Sequence, residues 1–375
     1  MEQNAFAGAL IRMLRLDRNW SQETLCQGIC AVSYLSKIEQ GRVVPNDHIL
    51  ADLLLKLDIR WQTDIRLQTE AAKICEETYE AVFSVDRRSV SRCGEILKSR
   101  WDELAMGPNY LDFLILRAFC NWDPSLIPHQ MEPLFDACQR SLLHILHREP
   151  VKALQQYPCA LTSLVAGAQA YTDGNYTLAL ENLQLAYDMA CQKGYAYLMM
   201  YCQLFIANCY SDLRNLESMR DHNRIAERLA RALGDRENEL VIGYNIASTQ
   251  IECGDYDAGY RFFSVLEKKS VLDLHKLAIC CEKLGRIQEA LDALNIAEVS
   301  AEGTESQMCN LVRYRLEHPN YLHDEAYGKL LMDTFNTLRR ERSAGYARFH
   351  LPWVEEWCTS NRQYRLAFEI LRDFT

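Results

Sequence analysis

The chain has 375 residues and a formal net charge of −10, and 49% of its residues are hydrophobic and 25% charged. This balance is typical of a folded globular protein and excludes an intrinsically disordered chain. Only 16 Gly and 9 Pro are present, and because both residues interrupt helices, their scarcity predicts an all-α protein.

Several functional classes are disfavoured by what the sequence lacks. No apolar run approaches the ~18 residues that cross a bilayer, and the first residues have neither the basic nor the apolar region of a secretory signal. We therefore expect a cytoplasmic protein with no membrane partner. The 15 cysteines are scattered without a C-x-x-C pair, which predicts reduced thiols in the core. No nucleotide-binding, metalloprotease or hydrolase motif occurs, so we expect no enzyme activity, cofactor or metal.

Charge separates an N-terminal segment from the rest of the chain. Residues 1–66 contain eight basic and eight acidic residues, so the remaining part carries the whole negative charge. A long acidic body repels DNA. If the protein binds DNA, the N-terminal segment must therefore bind it.

Four short helical patterns follow one another between residues 6 and 58. The first helical pattern places its apolar residues on one face of the helix, and it places Arg12 and Arg15 on the polar side. The third is predicted to run over 32–40. Residues that begin or end these helices are, in chain order, Asn19, Ser21, Gly28, Gly41 and Pro45-Asn46.

One ordered pattern spans these helices from Gly8 to Leu57. It includes Ser21-Gln22-Glu23-x-Leu25, then Ser33-x-Leu35-Ser36-Lys37-Ile38-Glu39-x-Gly41, then Pro45. The pattern resembles the Cro/Xre-type DNA-binding domain of bacterial repressors. Its middle segment is one residue shorter than the commonest form, and this short form is similar to that of peptide-pheromone-sensing regulators of Gram-positive bacteria.

The resemblance implies a helix-turn-helix whose third helix enters the major groove of double-stranded DNA. Residues near the start of that helix would reach base edges, namely Ala31, Val32, Ser33, Tyr34 and Lys37. Phosphate contacts are expected from Gln22, Arg12, Arg15, Arg42 and Asn46. Since the segment has no net charge, we expect a homodimer, which doubles the basic contacts. The alternative is a small helical domain whose polar residues are only solvated.

From residue 67 onwards the pattern is continuously helical and contains a repeated phrase. Each copy has a small residue, a turn, an aromatic or aliphatic residue, and a small or flexible residue three positions later. The turns lie at Gly174, Arg214, Gly254 and Gly285, with a weaker copy at Asn361. The phrase resembles the tetratricopeptide repeat, which implies stacked helical hairpins in a superhelix. Residues 75–160 are expected to hold divergent repeats. We therefore predict a DNA-binding domain over 1–66 and a repeat domain over 67–375.

A concave repeat surface commonly binds an extended peptide, through residues of the first helix of each hairpin. Counting from the small residues, the predicted peptide contacts are Tyr171, Tyr201, Asn208, Tyr244, Asn245 and Ser248, with Leu204 and His275 on the same stripe. Asn208 is the main candidate, because an amide side chain offers a donor and an acceptor together. The alternative is that these residues make routine contacts between helices.

The combination of both parts resembles the Rgg/PlcR/PrgX group of quorum-sensing regulators. That resemblance implies a homodimeric DNA-binding transcription regulator in which a short signalling peptide modulates operator binding and the repeat domain also dimerises. Two alternatives stay open: the repeats bind a protein partner, or they only dimerise and leave a constitutive repressor. An enzyme is a more remote alternative, which a closed pocket with convergent carboxylates and histidines would favour.

Overall fold

The computed structural model describes residues 5–342 and 344–372, and its regular secondary structure in these ranges is entirely helical. This confirms the predicted all-α class. No helix in the described ranges is long and apolar enough to cross a membrane. The chain divides into two compact units, the first made of Met1–Gln169 with Glu181–Cys202 and the second of Ala170–Leu180 with Gln203–Thr375.

Four short helices form a bundle at the start of the first unit. They are α1 (Ala5–Asp17), α2 (Gln22–Cys26), α3 (Val32–Glu39) and α4 (Asp47–Lys56). The Ser21 side chain accepts the Thr24 amide at 3.0 Å and the Asn46 side chain accepts the Ile49 amide at 2.9 Å. Both side chains satisfy amides that lack a partner within their helix. The predicted starts of α2 and α4 are thus confirmed.

Close contact between α1 and α3 depends on Gly8. A Cβ atom at this position would lie 1.9 Å from the carbonyl oxygen of Ile38. The core behind this contact consists of Leu10, Ile11, Leu25, Leu35, Ile38, Leu50, Leu53, Leu54 and Leu57. Burying each such side chain contributes roughly 1.5–3 kcal/mol. The apolar side of α3 is therefore held in the core, and its other side faces solvent.

The first unit continues with further helices after this bundle. They are α5 (Ile65–Ser84), α6 (Arg87–Ser99), α7 (Trp101–Leu104), α8 (Tyr110–Asn121), α9 (Ala137–Leu146) and α10 (Pro150–Gln156), with 3-10 turns at Pro124–Leu126 and Glu132–Leu134. The Phe6 ring packs against Trp61 and Tyr110, with centroids 6.0 and 5.8 Å away. Through these rings α1 is anchored to α8. The predicted domain limit at residue 66 falls in the first turn of α5.

The remaining helices of the described chain pair into consecutive hairpins. They are α11 (Ala160–Thr172), α12 (Tyr176–Lys193), α13 (Ala196–Asp212), α14 (Leu216–Leu233), α15 (Arg236–Glu252), α16 (Tyr256–Ser264), α17 (Val271–Lys283), α18 (Ile287–Glu298), α19 (Gly303–Glu317), α20 (Glu325–Glu341), α21 (Ala344–Ser360) and α22 (Tyr364–Arg372). Within the second unit each helix from α14 onwards packs on the next. The four predicted turns each hold a left-handed residue, Gly174, Arg214, Gly254 and Gly285.

Helix lengths explain the uneven spacing of the turns. Helices α14 and α15 have 18 and 17 residues, whereas α16 and α17 have only 9 and 13. The third and fourth turns are therefore closer in sequence. The hairpin of α19 and α20 was not among the predicted copies, because a 3-10 turn at Tyr321–His323 joins its helices.

Candidate functional site

One side of α3 and its flanking residues form an exposed surface, which we call the α3 face. Its members Ala31, Val32, Ser33, Lys37, Arg42 and Asn46 are exposed, and Tyr34 and Gln22 are half-buried. Arg12 on α1 is also exposed. The Asn46 oxygen caps α4, so only its amide group stays free for a phosphate. Lys37 and Arg42 supply positive charge beside α3.

A buried ion pair lies behind the α3 face. The Arg15 guanidinium donates to both carboxylate oxygens of Glu39, at 2.6 and 2.8 Å, and to the Trp20 carbonyl at 2.7 Å. Gln22 Nε2 donates to the same Glu39 carboxylate at 2.8 Å. The prediction that Arg15 contacts phosphate is wrong, because its side chain is only 9% exposed. Arg15 lies one turn after the buried Ile11 and so shares its inward face.

Lys56 fixes the turn between α2 and α3. Its ammonium group donates to the carbonyls of Thr24 and Gln27, at 3.1 and 2.9 Å. Gly28 follows in the left-handed conformation, with φ of 81°. Sequence reasoning did not single out Lys56. These contacts hold α2 and α3 in the fixed relative orientation that groove binding requires.

The second unit contains a cavity of about 220 Å³, which we call the repeat cavity. Its walls come from α11, α13, α15, α17, α19 and α21, the first helices of the hairpins, with a contribution from α14. Five of the six predicted peptide contacts line it, namely Tyr171, Asn208, Tyr244, Asn245 and Ser248. Residues far apart in sequence thus meet around one partly open cavity.

The sixth predicted contact, Tyr201, lies elsewhere. It belongs to the first unit and is 8% exposed, and the Arg87 guanidinium lies over its ring at 5.3 Å. It precedes Asn208 by two helical turns on α13. Leu204, between them, is buried and is also absent from the lining. The predicted stripe thus extends beyond the lining of the repeat cavity, towards the start of α13.

A hydrogen-bonded asparagine pair joins two neighbouring hairpins in the repeat cavity. Asn245 Nδ2 donates to Asn208 Oδ1 at 3.1 Å. Below it, Ser211 and Thr249 hydroxyls lie 3.2 Å apart, and Thr249 donates to the Asn245 carbonyl at 2.9 Å. This bond uses the amide nitrogen of Asn245 and the side-chain oxygen of Asn208. The amide nitrogen of Asn208 and the side-chain oxygen of Asn245 are therefore not used in the pair and can bind a ligand. A peptide unit needs such a donor and acceptor together.

Asp212 forms a charged corner of the repeat cavity. The Tyr176 hydroxyl donates to its carboxylate at 3.0 Å, and Arg348 donates to its carbonyl at 2.9 Å. Burial raises the pKa of Asp212, while the Arg348 charge opposes this shift. Burial and the Asp212 charge together raise the pKa of Tyr176 to about 12. The phenol therefore keeps its proton and remains a donor.

Buried nitrogen groups form another part of the wall of the repeat cavity. His275, Lys276 and His350 are 1, 7 and 1% exposed. His350 Nδ1 donates to the Tyr346 carbonyl at 2.8 Å, which leaves the lone pair on Nε2. Burial lowers the pKa of His350 to about 3 and holds the pKa of His275 well below its usual value. Both imidazoles are therefore neutral.

The repeat cavity holds carboxylates and histidines, the combination that would favour an enzyme. However, the described bonds of Asp212 run to Tyr176 and Arg348, and His350 bonds a backbone carbonyl. No group of three His, Cys, Asp or Glu side chains among the described residues is arranged to hold a metal ion. Among the described residues that line the repeat cavity, no histidine is hydrogen-bonded to a carboxylate, the pairing that acid–base catalysis commonly uses.

Comparison with known proteins agrees with the N-terminal geometry. Residues 11–62 match the helix-turn-helix family model HTH_3, so the chain carries a Cro/Xre-type helix-turn-helix domain. No curated protein sequence matches the chain.

Two solved structures resemble the chain over most of its length. The Rap protein complexed with competence and sporulation factor aligns with a TM-score of 0.55 and 14% identity, over 82% of this chain and 99% of that one. NprR in complex with its cognate peptide NprX aligns with a TM-score of 0.49 and 16% identity, over 81% and 98%. The likeness to Rap shows a shared helical fold.

Proposed function

We propose that the chain is a DNA-binding transcription regulator whose repeat region binds a short signalling peptide and thereby modulates operator binding. The observation that carries the proposal is the helix-turn-helix domain over residues 11–62 with its exposed α3 face. Ser33 and Lys37 supply hydrogen bonds to base edges there, and Val32 supplies an apolar contact for a thymine methyl. Arg42 and the Asn46 amide hold the phosphates.

The repeat cavity supports the second half of the proposal. Its asparagine pair offers a donor and an acceptor to one peptide unit, and Tyr171 and Tyr244 add ring surface to the wall of the same cavity. The Rap protein, which shares the fold, was solved in complex with competence and sporulation factor. Binding of a peptide changes operator affinity only if two arrangements of the protein bind it differently. Couplings of this kind change affinity by about 5–150-fold.

The DNA half is tested with Ser33→Ala combined with Lys37→Ala. A duplex selected by the wild-type protein from a random-sequence pool serves as the probe in fluorescence anisotropy. Each lost base contact weakens binding by about 1–3 kcal/mol, so affinity should fall at least tenfold. The matched control is Ser99→Ala with Lys98→Ala on α6, where both residues are exposed. Equal affinity of the two double variants would contradict the groove assignment.

The peptide half is tested with Asn208→Ala in the full chain. A pentapeptide selected from a random-sequence pool is titrated by calorimetry, and loss of the Asn208 hydrogen bonds should weaken binding by about 1–3 kcal/mol. Asn336→Ala, at an exposed position of α20, is the control. If no peptide binds while operator binding persists, the constitutive repressor is favoured. If a protein partner captured with the chain competes for the repeat cavity, the partner-controlled regulator is favoured.

A further inference from the structure

Lys276 is a buried cation that faces the repeat cavity. Its residue is 7% exposed, and its ammonium group lies over the Phe349 ring. Among the described residues it has no carboxylate within ion-pair distance, and the acid that acts on it most strongly is Glu252, which also lines the repeat cavity. An unpaired charge in such a place is unfavourable unless another group compensates it.

Neighbouring polar atoms also lack partners. Neither ring nitrogen of His275 has a hydrogen bond in the described structure, and the same holds for His350 Nε2 and Asn223 Oδ1. All three residues line the repeat cavity and are almost fully buried. Buried polar atoms in folded proteins are nearly always hydrogen-bonded. Several orphaned atoms around one cavity therefore indicate a ligand with complementary groups.

We infer that this end of the repeat cavity binds a carboxylate of the ligand, with Lys276 as its counter-ion and His275 as a hydrogen-bond donor. The inference rests on the proposed function, because we assign the carboxylate to the C-terminus of the bound peptide. His350 Nε2 carries a lone pair and accepts from a peptide N–H or from the lysine. The asparagine pair then holds the backbone further along the cavity.

Electrostatics agree with this assignment. Burial lowers the pKa of Lys276 well below its usual value, and the Glu252 charge opposes that shift. The other titratable groups that act on this corner are Cys280, His350 and Arg315. A carboxylate beside the ammonium group stabilises its charged form. An anion bound beside Lys276 would thus add to the stabilisation that the Glu252 charge provides.

The test compares peptides that differ only in their carboxylates. One random pentapeptide pool without Asp and Glu is made as the free acid and as the C-terminal amide, and an amidated pool with Asp and Glu tests side-chain carboxylates. Sodium acetate at constant ionic strength is the minimal probe. Binding is measured by thermal shift and calorimetry on the full chain. The variants are Lys276→Met and the control Lys283→Met, an exposed position on the same helix.

The free acid should bind the wild type and the Lys283→Met control about 10–100-fold more tightly than the amide, since hydrogen bonds to charged groups are the stronger ones. Lys276→Met should abolish this preference and the acetate effect. Equal binding of acid and amide by the wild type overturns the inference and leaves peptide binding intact. A preference for the Asp- and Glu-containing amide pool overturns the C-terminal assignment.

Acetate separates this inference from the proposed function. Protection by acetate that requires Lys276, without any peptide binding, supports the anion site and counts against a peptide ligand. Absence of both effects overturns the anion site. The wild-type comparison of acid and amide needs no variant, so a folding defect in Lys276→Met does not obscure the result.

Discussion

Replacing Glu39 by alanine is expected to destabilise the N-terminal bundle by about 3–5 kcal/mol. The substitution leaves the Arg15 charge buried without its counter-ion, where the side chains of the pair are 9 and 3% exposed. It also removes the acceptor that holds Gln22 at the start of α2. The damage therefore reaches both helices of the DNA-binding motif.

The magnitude follows from three bonds to one carboxylate. Arg15 makes two of them and Gln22 the third, all between 2.6 and 2.8 Å. Arg15 keeps one bond to the Trp20 carbonyl, which offsets part of the loss. Replacing both partners by apolar residues, Arg15→Met with Glu39→Leu, removes the unpaired charge and should restore most of the stability.

The assay is equilibrium urea unfolding of the full chain by circular dichroism, with hydrogen exchange to locate the change in α1–α4. Glu23→Ala, at an exposed position of α2, is the control. We expect the Glu39 single variant to lose protection throughout the bundle and the double variant to regain it. A single variant within about 0.5 kcal/mol of the control, or a double variant no more stable than the single, would refute this reasoning.

Two further predictions concern stability. Gly8→Ala is expected to cost about 1–3 kcal/mol or more, because its Cβ atom would lie 1.9 Å from the Ile38 carbonyl oxygen, and backbone cannot move aside as a side chain can. Gly107→Ala, with no atom nearer than 3.7 Å, is the control, and equal melting temperatures would argue against the close contact. For His350, burial lowers the pKa from 6.5 to about 3. Between these two pH values the imidazole is protonated in the unfolded chain and neutral in the folded chain. The stability present above pH 6.5 should therefore decrease as the pH falls, by about 1.4 kcal/mol per unit. Urea unfolding at several pH values checks this, and a slope unchanged in His350→Phe would contradict it.

The sequence predicts best what a residue decides locally. Ser21 caps α2 with its own side chain, and Gly174 and Gly254 adopt the left-handed turns that their lack of a Cβ atom permits. The hairpin of α19 and α20 is not predicted, because the 3-10 turn that joins its helices contains no glycine or other left-handed residue that marks a turn in the sequence. Where a capping side chain or a turn glycine is present, a few residues therefore suffice to predict a helix and its ends.

Contacts between distant residues were harder to predict. The charge of Arg15 predicts the polar side of α1, whereas its spacing from Ile11 indicates the inward face. Its partner Glu39 lies 24 residues further on, and the residues around Arg15 in the sequence do not indicate this ion pair. Charge alone is thus a poor guide to burial when a counter-ion comes from another helix.

The repeat cavity shows the same limit. Counting from the small residue of each repeat places Asn208 and Asn245 on the first helices of consecutive hairpins, and both line the repeat cavity. Lys276 and His350 join them only when α17 and α21 meet, and their hairpins differ in length from the earlier ones. The copy near the C-terminus, Asn361-x-x-Tyr364-x-x-Ala367, offers no small residue in its first helix from which to count, so the count does not locate His350.

The spacing of the two asparagines has a consequence for ligand length. They are 37 residues apart and belong to adjacent first helices, and packed helix axes are about 8–10 Å apart. An extended chain advances about 3.3 Å per residue. A peptide laid across the hairpins would therefore meet equivalent side chains at intervals of about three residues, so that inserting a single residue shifts every later position out of phase with its subsite.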